Sequence, residues 1–385
     1  MRVVPLSTMH HISRLHDSAD KHRTYRYEQH ASVNSLPADV VELLERTAIL
    51  NVSCGADWYR TLCTSIPSLG SLAEFHVLRR NDGPIAVLPL VRSAGLDTLA
   101  ALSNYYTALY APGLVDDVSA DELALLLSAV LDRRPRLASL RLHPMDRDSP
   151  AYEKLRRAMS DCGLFAFPYF CFGNWSLPRP ADLGHYMANR PGDLRSTLAR
   201  KGKLFAAAGG QMEILSRTDD LARGIAAYQQ VYATSWKTPE PHPLFISTLI
   251  ETCARRGWLR LGIAWLGGRP VATQLWIVAN GRAEIYKLAY DESFKRYSPG
   301  TLLTAKLLEQ VFEIDGVREI DYLIGDDRYK TAWMTQRRER WGLIAYNPAT
   351  SAGLAALARE VAVRFAKSLL AWARHIARRR TTGPA

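Results

Sequence analysis

From Leu259 onward the spacing of apolar residues predicts three strands and then a helix. LRLGIAWL (259–266), VATQLWIV (271–278) and EIYKLAY (284–290) are short segments rich in strand-forming residues. The turn Gly267-Gly268-Arg269-Pro270 closes the first, and Asn280-Gly281 closes the second with a strong hairpin signal, because both of its residues accept positive φ. The period then lengthens. Leu303, Leu307 and Val311, flanked by Leu308 and Phe312, predict a helix with one face on the sheet, ended by Asp315-Gly316. A strand over 318–324 follows and breaks at Gly325-Asp326-Asp327-Arg328-Tyr329-Lys330, ahead of Trp333-Met334.

The first half repeats this order in shorter form. Residues 39–49 and 55–64 read as helices, 74–80 and 84–92 as a hairpin about Asn81-Asp82-Gly83, and 96–103 as a strand. Helix 120–132, strand 137–143, helix 150–162 and strand 164–176 complete it. Helix 193–210, with Arg195, Arg200, Lys201 and Lys203, reads as a linker or as one wall of a cleft. Helix 219–234 leads to Trp236-Lys237 and to Pro239, Pro241 and Pro243, which impose an extended loop. The expected organisation is a leader (1–35), an N-terminal lobe (36–189), a C-terminal lobe (190–347) and a basic amphipathic helix with its tail (348–385).

That last helix changes the picture of charge. Leu354, Leu357, Val361, Phe365, Leu369, Trp372 and Ile376 step by three or four and form one apolar stripe. Arg359, Arg364, Lys367, Arg374, Arg378, Arg379 and Arg380 oppose only Glu360 over 353–380, so more than half of the whole-chain net charge of +11 sits there. Such a helix can lie on an anionic membrane or pack its stripe on the protein. DNA is not expected, since aromatics are not interleaved with the basic run at Arg378-Arg379-Arg380 and no nucleic-acid motif accompanies it.

Length allows two to three domains in 385 residues, and 48% apolar content suffices for buried cores. Five cysteines without CxxC or zinc-ligand spacing predict free thiols in a reducing compartment and no metal. His10, His11, His16, His22 and His30 fall in a polar leader at spacings that match no metal site. With no apolar run of spanning length and no secretion signal, the expectation is a cytoplasmic protein with peripheral contact at the inner membrane surface.

Two places could carry chemistry. Ser298 reads as an N-cap and Pro299 as the first helical residue, leaving the N–H groups of Gly300, Thr301 and Leu302 at a positive helix end near Lys295 and Arg296. This start is either a pyrophosphate cradle or an ordinary capped helix with two solvated cations. The cluster at Asp326, Asp327 and Lys330 is either a site at a strand's carboxyl end or a surface turn with ion pairs. No G-x-S-x-G, phosphate-loop or H-E-x-x-H motif offers another scheme.

The phrases SWK (235–237), AYDESFKRYSPGTLL (289–303) and DYLIGDDRYKTAWM (321–334) resemble the GNAT superfamily of acyl-CoA-dependent acyltransferases. Within it they resemble the branch linked to cellulose and exopolysaccharide synthesis, related to the Fem peptidyltransferases. The likeness covers about 190–347 well and the first half only in layout. It departs at the pyrophosphate loop, where Gly300 alone remains of the usual glycines. The resemblance implies an α/β fold of tandem GNAT-like lobes, each a mixed, mostly antiparallel sheet flanked by helices. It further implies an N-acyltransferase that moves an acyl group, acetyl first, from acyl-CoA to an amine or a hydroxyl of a small molecule, glycan or peptide in envelope biosynthesis.

On that reading Arg296, Ser298, Gly300, Thr301 and Leu302 hold the donor. Trp236, Lys237, Gln274, Tyr286, Lys287 and Tyr290 shape the acceptor side, and backbone N–H groups of 284–290 meet the oxyanion. Asp326 and Asp327 act as base, each raising the other's pKa, with Asp321 in reserve and Lys330 assisting the thiolate or an anionic acceptor. No metal takes part. A ligase using aminoacyl-tRNA, or a non-catalytic partner of a membrane-bound polysaccharide synthase, are the alternatives.

Overall fold

The computed structural model describes residues 4–5, 23–93 and 97–381, with side chains from 23 to 370 and at Trp372. The histidines from His10 to His22 lie outside these residues. His30 does not belong to a leader, since Tyr25–His30 is a strand paired antiparallel with Ala73–Arg80.

The chain forms two compact units, and both are discontinuous in sequence. Leu72–Tyr169 groups with Met1–Leu43 and Trp341–Ala385, and Phe170–Arg340 groups with Leu44–Ser71. Boundaries at 189 and 347 therefore do not coincide with the units, because contacts rather than sequence order define them.

In the first unit Tyr25–His30, Ala73–Arg80, Gly83–Arg92, Thr98–Ala101 and Ser139–Asp146 lie side by side. All pairs are antiparallel except Thr98–Ala101 with Ser139–Asp146. Helices Ala120–Arg133 and Pro150–Asp161 bring Leu123, Leu126, Leu127, Leu155 and Met159 onto this sheet, where they meet Leu78, Leu88 and Leu140. Ser119 starts the first of them with the capping box its sequence prescribes, pairing with the backbone of Glu122.

The second unit orders its strands as 170–178, Glu319–Asp321, Arg282–Tyr290, Arg269–Ala279, Leu259–Leu266 and Gln211–Leu215. The three long strands form the meander expected from their turns. Gly267 and Gly268, and Asn280 and Gly281, take the positive φ that two-residue hairpins require. The run VATQLWIV is buried nearly throughout because both faces of its strand are covered. Trp276 packs with Leu303, Leu307 and Val311 on one side. Ile277 meets Trp58, Leu249 and Cys253 on the other.

Those last partners belong to helices Ala56–Ser65 and Pro243–Arg255. Neither the second helix nor the edge strand Gln211–Leu215 follows from the sequence pattern given above: Pro243, which looks like a loop residue, serves as the first residue of its helix. The predicted α/β class, mixed sheets with flanking helices and a C-terminal helix (Ser351–Thr381) are all present. Among the described residues no helix is long and apolar enough to cross a membrane.

Candidate functional site

The strand Arg282–Tyr290 is opened twice. Leu275 pairs with Lys287 and Trp276 with Ile285, so Tyr286 is an extra residue, a β-bulge that interrupts the ladder. On its other edge the strand pairs in parallel with Glu319–Asp321, and that register reaches only Glu284. Beyond Asp321 the chain follows its far neighbour instead: Tyr322 N–H donates to Trp175 carbonyl (2.8 Å) and Gly325 N–H to Gly173 carbonyl (3.1 Å). The two central strands therefore part after Glu284, leaving a notch beside 285–290.

The strand predicted over 318–324 ends early for a local reason. Asp321 Oδ1 accepts from the N–H of Leu323 (2.7 Å) and from Asn174 Nδ2 (2.6 Å), and Leu323 takes a left-handed φ of 52°. Arg338 pairs with the other oxygen of Asp321 at 2.5 Å, so both carboxylate oxygens are engaged within the protein.

Helix Pro299–Glu309 begins across the notch. Ser298 occupies its N-cap position but sits at φ 53°, ψ 45° and makes no side-chain capping bond, correcting the expected cap. Its carbonyl accepts from the N–H of Leu302 (3.2 Å), so Leu302 is not an open donor. By helix geometry Gly300 and Thr301 N–H lack an intrahelical acceptor. Arg296 folds back over Tyr297, its guanidinium 4.6 Å from the ring and 2.6 Å from the hydroxyl.

Gln274 ties the sheet to this helix start. Its Nε2 donates to Gly300 carbonyl (2.9 Å) and Thr304 Oγ1 (2.7 Å), while its Oε1 accepts from Trp276 Nε1 (2.9 Å). Fully bonded, it braces the site rather than facing a substrate. Tyr290 lies where a side chain on Gly300 would make contact, at 3.4 Å, and packs against Trp236 at a tilt of 50° with ring centres 4.7 Å apart. Lys237 lies 5.2 Å over that tryptophan. Tyr286 points elsewhere, edge-on to Trp58 at 5.9 Å, and Trp58 in turn meets Phe245 at 5.5 Å.

Lys287 pairs with Glu240 at 2.7 Å, and burial lowers the lysine's pKa. The Glu240 side chain is only 8% exposed, and its Oε2 has no hydrogen-bond partner among the described residues. Sequence reasoning passed over Glu240 because it sits among prolines in an apparent surface loop.

The acidic cluster behaves differently from expectation. Arg337 grips Asp326 with Nε (2.9 Å) and Nη2 (2.6 Å), and Trp175 Nε1 donates at 2.8 Å. These bonds, led by Arg337, hold the Asp326 carboxyl below its ordinary range, so it is not raised by Asp327 and makes a poor base. Asp327 faces Lys330 at 3.4 Å. Lys330 is 2% exposed and directs Nζ at the carbonyls of Tyr322 (3.3 Å), Ile324 (2.5 Å) and Gly325 (3.1 Å). It clamps the turn after Asp321 and has no donor left for an acceptor anion.

A buried acid stands instead on the bulged strand. Glu284 is 3% exposed, takes a bond from Asn51 Nδ2 at 2.7 Å, and is pushed up to about 8 by burial and then by Asp321. In the sequence it alternates like a solvent-facing residue, and only the covering segment 51–58 reveals its burial. None of the five cysteines forms a disulfide, and burial raises the pKa of Cys162, pushes Cys63 up to about 11 and Cys253 higher, which leaves these three poor nucleophiles. Among the described residues no group of His, Cys, Asp and Glu could hold a metal.

Residues 192–331 match the sequence model described as an acetyltransferase (GNAT) domain. No curated protein sequence matches the chain. Among solved structures the chain is similar to the C-terminal domain of an Agrobacterium fabrum protein described as a lysylphosphatidylglycerol synthetase, at TM-score 0.50 and 15% identity over 84% of this chain and 96% of that one. It is similar to FemX at TM-score 0.52 and 11% identity, over 71% of this chain and 87% of that one. A conserved protein of unknown function from Bacteroides thetaiotaomicron VPI-5482 gives TM-score 0.50 and 10% identity, over 74% and 90%. At such identities the likeness is one of fold. The notch, the helix start, Glu240 and Glu284 all fall inside the segment that matches the acetyltransferase domain.

Proposed function

We propose that this protein transfers an acyl group, acetyl being the simplest, from acyl-CoA to an amine. The observation that carries the reading is the notch: a bulged strand that loses its parallel neighbour after Glu284, facing the first turn of helix Pro299–Glu309. An extended thioester fits such an opening, its diphosphate at the Gly300 and Thr301 amides and its carbonyl at the bulge. Trp236 and Tyr290 wall the path between them.

The steps need only this chain's residues. The unpartnered oxygen of Glu240 draws a protonated amine into the notch. Glu284 takes the amine's proton through a water, since its own side chain is buried, and a pKa near 8 suits that exchange. The amine nitrogen then bonds to the carbonyl carbon, and a backbone N–H of residues 284–290 stabilises the oxyanion. The carbon–sulfur bond breaks, the departing thiolate takes, through water, the second proton that the nitrogen loses in becoming an amide, and Glu284 returns its proton to solvent. An acceptor on an envelope glycan or peptide is the class that the sequence resemblance suggests.

Isothermal titration with acetyl-CoA and longer acyl-CoAs tests this directly. We expect saturable binding, weakened at least tenfold in Gly300→Asp, where a carboxylate would face the diphosphate. The variant should still fold, since an acidic side chain suits a helix N-terminus. Absence of binding by every acyl-CoA would overturn the donor assignment, and binding of aminoacyl-tRNA in its place would turn the reading toward a tRNA-dependent ligase.

A further inference from the structure

Among its described side chains, the helix Ser351–Thr381 is held to its unit through Gly353, Leu357, Glu360 and Arg364. Gly353 is so close to the chain that a Cβ there would collide with Asn347 carbonyl oxygen. Leu357 joins Ile344 and Tyr346 in a small core with Phe167 and Tyr169 at its edge. Glu360 accepts from Tyr346 Oη (3.2 Å) and Arg364 Nε (2.7 Å), and Arg364 also donates to Pro168 carbonyl (3.0 Å). After Arg364 every residue whose side chain is described is exposed.

The apolar stripe read from the sequence, either to pack or to face a membrane, is thus split. Leu357 is buried, whereas Leu354, Val361, Phe365, Leu369 and Trp372 lie open, Phe365 and Trp372 each at 64%. These five sit within about one quadrant of an ideal helix, beside the anchored face rather than on it. Exposed Arg359 flanks the stripe on one side and Arg364 on the other, with Lys367 further round.

We propose that this helix docks on an anionic lipid surface, with Val361, Phe365, Leu369 and Trp372 among the acyl chains and the cations at the headgroups. Charge selects the occupant. Seven basic residues against Glu360 suit a negative surface, and long cationic stems can lie along the apolar boundary while their heads stay wet. A second copy would bring the same cations together. The proposal does not depend on the transfer reading, because no residue of the notch takes part.

Cosedimentation of the full chain with phosphatidylcholine vesicles, with and without about 30% phosphatidylglycerol, is the test. Expected is binding to the anionic vesicles only, reduced at least tenfold by 0.5 M salt and by Phe365→Glu with Leu369→Glu. Arg359→Glu with Lys367→Glu should weaken it about tenfold or more. The substituted positions are exposed, and an unchanged thermal melt would confirm folding. Difference fluorescence against Trp372→Phe should show a blue shift of Trp372 on binding. Equal binding to neutral vesicles, or none to either, overturns the proposal; so does a dimer in light scattering that Phe365→Glu dissociates.

Discussion

Lys330 and Glu284 show how a buried charge is resolved in two opposite ways. Burial lowers the Lys330 pKa, while Asp327 and three carbonyls around the ammonium favour the charged form. Replacing it with methionine preserves the stem and strands those carbonyls. Lys330→Met should cost about 2–3 kcal/mol in denaturant unfolding, and an unchanged midpoint would show that the clamp is unimportant. Glu284 has only Asn51 and a backbone N–H, with Asp321 nearby, so its folded pKa rises from 4.5 to about 8. The folded state then binds the extra proton, and the stability this confers is complete below the unfolded value of 4.5 and lost as pH rises through about 8. Glu284→Gln should therefore gain stability over the parent protein between pH 5 and 9; a difference flat across that range would refute the buried acid. In turnover the same substitution should remove the acidic limb of the pH–rate profile, leaving Asp326→Asn close to the parent.

At the scale of elements, the joint between strand Arg269–Ala279 and helix Pro299–Glu309 is a single amide side chain. Gln274→Leu would leave Trp276 Nε1 and Gly300 carbonyl without their partner, at about 1–3 kcal/mol, and should weaken acyl-CoA binding by loosening the first helical turn. Retained affinity with lowered stability would confine Gln274 to packing. The hairpins around this joint were readable from sequence, since Asn280-Gly281 and Gly267-Gly268 fix their own backbone. The helix Pro299–Glu309 was readable for a similar reason: its period is local. What Lys330, Gln274 and Asp326 do was not, because it depends on how the chain folds back: the turn carbonyls onto Lys330, Gly300 onto Gln274, and Trp175 with Arg337 onto Asp326. The bulge at Tyr286 was equally hidden, since register belongs to a pair of strands and not to one.

At the scale of the whole molecule, the second unit draws Leu44–Ser71 into Phe170–Arg340. Trp58 packs on Phe245 and Tyr286, Asn51 bonds Glu284, and Asn280 Nδ2 donates to Ala48 carbonyl at 3.0 Å. A fragment of residues 190–347, a natural choice from sequence, lacks these partners and the strand 170–178. It should show no cooperative thermal transition by circular dichroism, and a sharp one would contradict this account.

Residue 44 must wait for residue 340 before its unit can close. Emerging from the ribosome, its early helix carries Trp58, Tyr59 and Leu62 uncovered while most of the remaining chain is still being made. Such delayed partnering favours slow maturation and chaperone shelter, and makes expression temperature a sensitive variable for yield.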